Sequence, residues 1–251
     1  MQPLPKALPT SLNNTFDVEP SIIYQDSDLL VLMKPAHVYV HPPEDRIARK
    51  TVGRKTCLHW LTDKHNLKGY PIHRLDFATE GLVIFGLHNK AASELNKLMR
   101  AQQIQKEYDV IVRGWFKEEQ GKIDLPLELD STGDLVEALT LYSLIKKIEL
   151  KHSVNSKFPT SRYSWLHIEL KTGRWHQIRR HMNRTAHPII GDREHGDSHH
   201  NRFFRDDLGI NGLCLKAKKL KFTHPFENKI VEVFAPKTEL WTRIESLFTT
   251  H

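Results

Sequence analysis

Apolar residues recur along this chain with two different periods, and the changes between them outline the fold. LLVLMKP (29–35) is a short unbroken apolar run stopped by Pro35, as expected of a buried strand. VGRKTCLHWLTDKH (52–65) reads as a helix with Cys57, Leu58 and Leu61 on one side. GLVIFGL (81–87) is a second buried strand. In NKAASELNKLMRAQ (89–102), Ala92, Leu95, Leu98 and Met99 follow helical spacing, with Asn89 as the expected cap. KEYDVIVRG (106–114) alternates strictly: Tyr108, Val110 and Val112 face one way, Asp109, Ile111 and Arg113 the other. Further strands are expected near 137–149, 162–171, 213–222 and 229–234, with short helices near 174–184 and 237–248. Residues 36–55, 150–160 and 192–212 read as loops, and the proline-bearing 1–20 as an extended tail. Strands dominate without a regular βαβ alternation. The expected class is therefore α+β, a mixed or largely antiparallel sheet with flanking helices, in one domain over 21–251.

Composition narrows the function classes. The 251 residues are 39% hydrophobic and 27% charged, which suits a globular protein. No apolar run is long enough to span a membrane, and the N-terminus lacks a signal-peptide core. Cys57 and Cys214 are too few for a disulfide framework and too far apart for a CxxC site, so a cytoplasmic setting is expected. The net charge of 37 − 30 = +7 makes a polyanion a plausible partner. Three acid-free basic stretches, 46–55, 171–184 and 214–221, read either as solvated faces or as a surface that meets several phosphates.

Four segments carry candidate chemistry. In HRLDFATEGLVIFG (73–86), the cluster His73, Arg74, Asp76 and Thr79 precedes a buried strand. A carboxylate one turn from a guanidinium stays ionised and can serve as nucleophile or base; the plainer reading is a turn-capping Asp paired with Arg74. Tyr108 is either a core residue or a platform for a flipped base. In TGRWHQIRRHM (172–182) a helix would bury Trp175, Ile178 and Met182, turn Arg180 and Arg184 outward, and leave Gln177 free to read polar edges. Arg179, beside the buried stripe, needs an anion, and Asp76 is one candidate. The run GDREHGDSHHNR (191–202) is rich in potential ligands but matches no metal spacing, so a polar loop and no metal are expected. Walker, GxGxxG, GxSxG and zinc-finger motifs are all lacking.

At this point a resemblance enters. HRLDFATEG (73–81) resembles the HRLDxxTSG motif of the RluA family of pseudouridine synthases at six positions. KEYDVIVRGW (106–115), TGRWHQIRRHM with HPIIGD (172–192) and LCLKAKKLKFTHP (213–225) are similar to its later motifs, in order. PTSRYSWLHIELKTGR (159–174) and GDREHGDSHHNR further resemble a tRNA-acting bacterial branch. The resemblance implies a central mixed, mainly antiparallel sheet crossed by an RNA-binding cleft, with no separate S4 module. It implies isomerisation of uridine to pseudouridine in tRNA, at uridine 65 first, with rRNA as the alternative substrate. A non-catalytic RNA binder and a carboxylate N-glycosidase are the competing classes. It implies Asp76 as the catalytic carboxylate, Tyr108 stacked on the target base, and Arg179 paired with Asp76. Arg74 fills the gap left by the flipped nucleotide, while His73, Thr79, Arg174, His176, Gln177 and Arg180 join it in binding RNA. No cofactor, no membrane and no obligatory protein partner are expected, and the chain is expected to act as a monomer. Phe77, Ala78, Glu80 and Lys216 depart from the family pattern, and Glu80 is expected to add negative charge near Asp76.

Overall fold

The computed structural model describes residues 18–250 apart from 44–46, 48, 49, 51, 54, 130, 155 and 156. Most of the expected N-terminal tail and five positions of the basic stretch 46–55 lie outside the described residues. The strands are β1 (Ser21–Gln25), β2 (Leu29–Lys34), β3 (Tyr70–Pro71), β4 (Glu80–Gly86), β5 (Gln105–Arg113), β6 (Gln120–Asp124), β7 (Leu127–Glu128), β8 (Leu135–Val136), β9 (Leu139–Leu150), β10 (Ser161–Leu170), β11 (Leu215–Thr223) and β12 (Ile230–Phe234). The helices are α1 (Cys57–His65), α2 (Asn89–Arg100), α3 (Gln177–Arg184), α4 (Ser198–Asp206) and α5 (Glu239–Thr250).

One ten-stranded sheet runs β1-β2-β4-β11-β5-β10-β9-β6, with β12 on β11 and β3 on β4. β4 and β11 are parallel; the other pairings are antiparallel. The class is the α+β one expected. Both faces of the sheet are covered, which explains the unbroken apolar runs of β2 and β4. The period of two assigns residues to faces. On the front, Leu30, Leu32, Val83, Phe85, Tyr108, Val110 and Val112 pack with α1 and with Ile178 and Met182 of α3. On the back, Leu29, Val31, Leu82 and Ile84 pack with Ala92 and Leu95 of α2. Ile111 meets Phe203 and Phe204 of α4 and Trp241, Ile244 and Phe248 of α5.

Several expectations need correction. His88, not Asn89, caps α2: its extended backbone lets Nδ1 accept the Ala91 N–H at 3.2 Å. In α1, Trp60 is buried with Cys57 and Leu61, while Leu58 is half-buried. α4 lies inside the expected loop 192–212, because only Phe203 and Phe204 of its residues are apolar and they are adjacent. Asp197 starts it by accepting the His199 N–H at 3.0 Å. The lysines of 214–221 are not an open phosphate surface. Lys216 is buried and donates to the Pro236 carbonyl, Lys218 pairs with Asp109, and Lys219 pairs with Glu107 and Glu232. Among the described residues no helix is long and apolar enough to cross a membrane.

Candidate active site

The motif 73–79 leads into β4, and the direction of that strand decides what reaches the cleft. The Thr79 N–H donates to the Asp76 carbonyl at 3.1 Å, closing a tight turn. Gly81 follows with φ +131°, and a Cβ there would meet the Ala217 carbonyl oxygen at 2.4 Å. Only glycine lets β4 run this close beside β11. Beneath the turn sits Lys34, fully buried, whose Nζ donates to the carbonyls of Pro35 and Val38 at 2.8 Å and of Phe77 at 3.3 Å. Burial pulls its pKa down to about 8, against the nearby negative groups that favour its charge.

Above it opens a cleft of about 730 Å³. His73, Arg74, Asp76, Thr79, Tyr108, Arg174, Trp175, His176, Gln177 and Arg179 all line it. Nine of the ten expected site residues thus share one cavity; Arg180 lies outside it. Burial pushes the Asp76 carboxyl above its ordinary range, while Arg179, Arg74 and Lys34 pull the other way. Tyr108 is buried, and burial together with the Asp76 charge raises its pKa, so it stays a neutral phenol. The Thr79 hydroxyl is buried and has no hydrogen-bond partner among the described residues. His73 accepts the Ile84 N–H through Nε2 at 3.2 Å, so its ring is committed to β4.

The Arg179 pairing differs from expectation in its main partner. Nη1 stands 3.5 Å from Asp76 Oδ2. The strong pair is with Asp192, which accepts from Nε at 2.7 Å and Nη2 at 2.8 Å, a buried two-point clamp. Burial works against the Asp192 charge, but Arg179 and the turn N–H groups hold its pKa below the ordinary range. Nη1 also reaches His176 Nε2 at 2.7 Å, and His176 Nε2 is 3.7 Å from Asp76 Oδ2.

Three neighbouring readings are corrected. Trp175 is not core: α3 begins at Gln177, and Trp175 lies exposed before it, stacked on His176 at 3.6 Å between centroids. Gln177 is buried and spends its amide on the chain, accepting from Thr172 and Arg174 and donating to Leu139 and Thr140. Arg180 donates to the Glu128 carbonyl at 2.9 Å and Arg184 to that of Pro126, which ties α3 to the β7–β8 hairpin. Glu80 also faces elsewhere. It shares the back face of β4 with Leu82 and Ile84, accepts from Thr238, and lies in register with Lys216. The two departures from the family pattern, Glu80 and Lys216, are therefore neighbours behind the sheet. Lys34 and Glu194 were not singled out in the sequence, and Asp192 and His195 stand in the run read as a polar loop rather than a metal site. Asp192 had a signal, its place in the HPIIGD segment; Lys34 reads only as the polar end of a strand.

Comparison with known proteins identifies the family. The RNA pseudouridylate synthase family matches residues 28–184, which include Asp76, Tyr108 and Arg179. The tRNA pseudouridine synthase C of Vibrio vulnificus is 37% identical over 237 residues, covering 90% of this chain and 94% of that one. That of Haemophilus ducreyi is 36% identical over 243 residues, covering 93% and 98%. Two solved structures share the fold. Human RNA Pseudouridylate Synthase Domain Containing 1 has a TM-score of 0.66 at 23% identity, over 87% of this chain and 84% of that one. Human RNA Pseudouridylate Synthase Domain Containing 4 has 0.65 at 20% identity, over 91% and 92%. With sequence match, fold and cleft in agreement, the chain belongs to the RNA pseudouridylate synthase family.

Proposed function

We propose that this protein isomerises uridine to pseudouridine in tRNA, with uridine 65 at the acceptor–T stem junction as its target. The observation that carries this is Asp76, a largely buried carboxylate facing Arg179 in a cleft that also holds Tyr108. Support for tRNA comes from the relatives that bear the name tRNA pseudouridine synthase C. The reaction breaks N1–C1′, turns the base and joins C5–C1′. Attack at C1′, attack at C6 and a glycal route all draw on the same ionised carboxylate.

The chain's own groups divide the work. A stem uridine leaves its stack at a cost of a few kcal/mol. Arg74, exposed at the cleft, is placed to fill the gap it leaves. Tyr108 offers a ring for the base to stack on and a hydroxyl near the C5 proton. The orphan Thr79 hydroxyl has room for one substrate hydrogen bond. Arg179, clamped by Asp192, keeps a positive charge beside Asp76. Product and substrate are isomers, so the reaction consumes no redox or energy cofactor, and activity is expected without added metal or nucleotide. We read the described residues as one catalytic domain that works as a cytoplasmic monomer without an obligatory protein partner. Glu80, the second carboxylate a hydrolytic reading would draw on, faces away from the cleft.

The test is incubation of the purified chain with tRNA transcripts and rRNA fragments, followed by carbodiimide mapping of pseudouridine. Modification at tRNA position 65 is expected. Modification only in rRNA, or only elsewhere in tRNA, overturns the substrate assignment. Release of free uracil overturns the reaction. Asp76→Asn should abolish turnover and leave RNA binding within a few-fold; measurable turnover would sink Asp76 as the essential group.

A further inference from the structure

At the mouth of the cleft, the residue before α3 meets the turn that follows Asp192. His176 Nδ1 is 3.1 Å from His195 Nε2 and 3.4 Å from Glu194 Oε2, and His195 Nε2 is 4.0 Å from that same oxygen. A tetrahedral ion with bonds of about 2.0–2.2 Å holds its donors about 3.3–3.6 Å apart. The observed 3.1, 3.4 and 4.0 Å bracket that range, so shifts of a few tenths of an ångström bring two imidazole nitrogens and a carboxylate oxygen, a donor set that zinc-class cations take, onto one ion. We propose that His176, Glu194 and His195 form a site for a divalent transition cation of the Zn²⁺ class, and that its occupation inhibits the Asp76 centre.

The donors stand on fixed supports. The His195 N–H donates to Asp192 Oδ1 at 3.0 Å, and its carbonyl accepts from Asn183 Nδ2 at 2.6 Å. Gly196 packs so tightly that a Cβ there would lie 2.1 Å from the Asp192 carbonyl oxygen. His176 has a left-handed backbone, φ 50°, and its ring is held flat against Trp175. Glu194 alone is exposed, which leaves an open side to the site.

Inhibition follows from where the His176 proton sits. Arg179 has only donors, so His176 Nε2 accepts from it, and the single ring proton lies on Nδ1, facing His195. A cation on Nδ1 displaces that proton. Nε2 takes up one proton through solvent, so the ring stays neutral and no net proton is released. The new Nε2–H repels the Arg179 donor and has Asp76 Oδ2, now 3.7 Å away, as its nearest carboxylate acceptor. Glu194 at the same time gives up its contact with Arg179 Nη2, now 3.4 Å. The metal-loaded form thus engages the oxygen that the isomerisation needs.

The test uses the full chain stripped with EDTA and dialysed, without RNA. Zn²⁺ is titrated by calorimetry, and Co²⁺ by the visible absorption of a low-coordinate nitrogen-ligated ion. One equivalent is expected to bind, with His195→Ala and Glu194→Gln each weakening it by about tenfold or more. Circular dichroism melts check that both variants are folded. Pseudouridine formation is then measured at fixed free Zn²⁺, each variant against its own metal-free rate. Wild type should be inhibited and rescued by EDTA, and both variants should need more metal. No saturable binding, or binding that both variants leave unchanged, overturns the site. Binding without loss of rate overturns the inhibition. Because binding is read without RNA, its failure is separable from failure of the tRNA reading.

Discussion

Arg179 and Asp192 show how one buried ion pair can serve a third residue. Asp192 supplies the charge and geometry that let a guanidinium stay inside the protein, and Asp76 faces what is left of its field. Removing Asp192 takes away the closest partner of that charge and leaves only the looser contacts with Asp76 and Glu194, and breaking a buried pair typically costs about 3–5 kcal/mol. Asp192→Ala should therefore shift the urea midpoint strongly. Asp192→Asn, which keeps one acceptor, should fold and still slow single-turnover isomerisation more than Arg180→Ala does. Equal rates for Asp192→Asn and wild type would detach Asp192 from the site. His73 makes a separate case, because its Nε2 already accepts the Ile84 N–H and burial takes its pKa down to about 3. An unfolded histidine titrates near 6.5, so between these values the unfolded chain binds more protons. Stability must then fall as pH falls below about 6.5, by up to about 1.4 kcal/mol per pH unit from this one ring. His73→Gln should remove that share of the slope in urea unfolding at pH 7 and pH 5. An unchanged slope would show that His73 titrates freely.

The contact of β4 with β11 is where two elements with different tasks share one geometry. The front of β4 delivers Thr79 to the cleft, and its back carries Glu80 into register with Lys216. Gly81 makes the pairing possible, so Gly81→Ala adds a side chain against backbone as well as a strained φ. The expected cost is about 2–5 kcal/mol. At Gly133, φ +75° with nothing within 4 Å of an added Cβ, the same change should cost only about 1–2 kcal/mol. Chemical denaturation of the two variants side by side checks this, and similar losses would refute the close approach. Behind the sheet, burial raises the Glu80 pKa and lowers that of Lys216, while each charge favours the other. Lys216→Met and Glu80→Gln should therefore be less harmful together than the sum of the single changes, by about 0.5–3 kcal/mol. A strictly additive cycle would show that the two charges are not coupled.

Over the whole molecule, the excess of positive charge is less available than its total suggests. The lysines of β11 are spent on Asp109, Glu107 and Glu232, while Arg74 and Arg174 stand exposed at the cleft. Arg74→Ala should lower the salt slope of RNA binding by about one unit, while Arg174→Ala, whose Nε donates to the Glu137 carbonyl at 3.0 Å, and Arg180→Ala, bound to the hairpin, should each change it less. A salt titration of the three variants that ranks Arg180 first would restore the phosphate role read from its helical position. That misplacement shows where legibility stops. The strands β2, β4, β5 and β10 were readable because period and burial are local properties, written in which residues recur at two or three to four positions. The Asp76 and Tyr108 motifs were readable because their residue types stand together in short stretches. The start of α3 was not, since the left-handed turn at His176 is set by what packs around it, and a start three residues later than expected leaves Trp175 outside the helix while Gln177 is buried. Lys34 could not be told from any strand-ending lysine until its three carbonyl acceptors came together in space. His176 lies far from Glu194 and His195 along the chain, so no spacing rule could join them. By itself the sequence determined the main strands, the family motifs and the candidate carboxylate Asp76, because each rests on neighbours along the chain. The anion that holds Arg179, which cations stand free at the cleft and the three donors at its mouth were decided only by tertiary structure. They depend on distances between segments that local pattern does not encode.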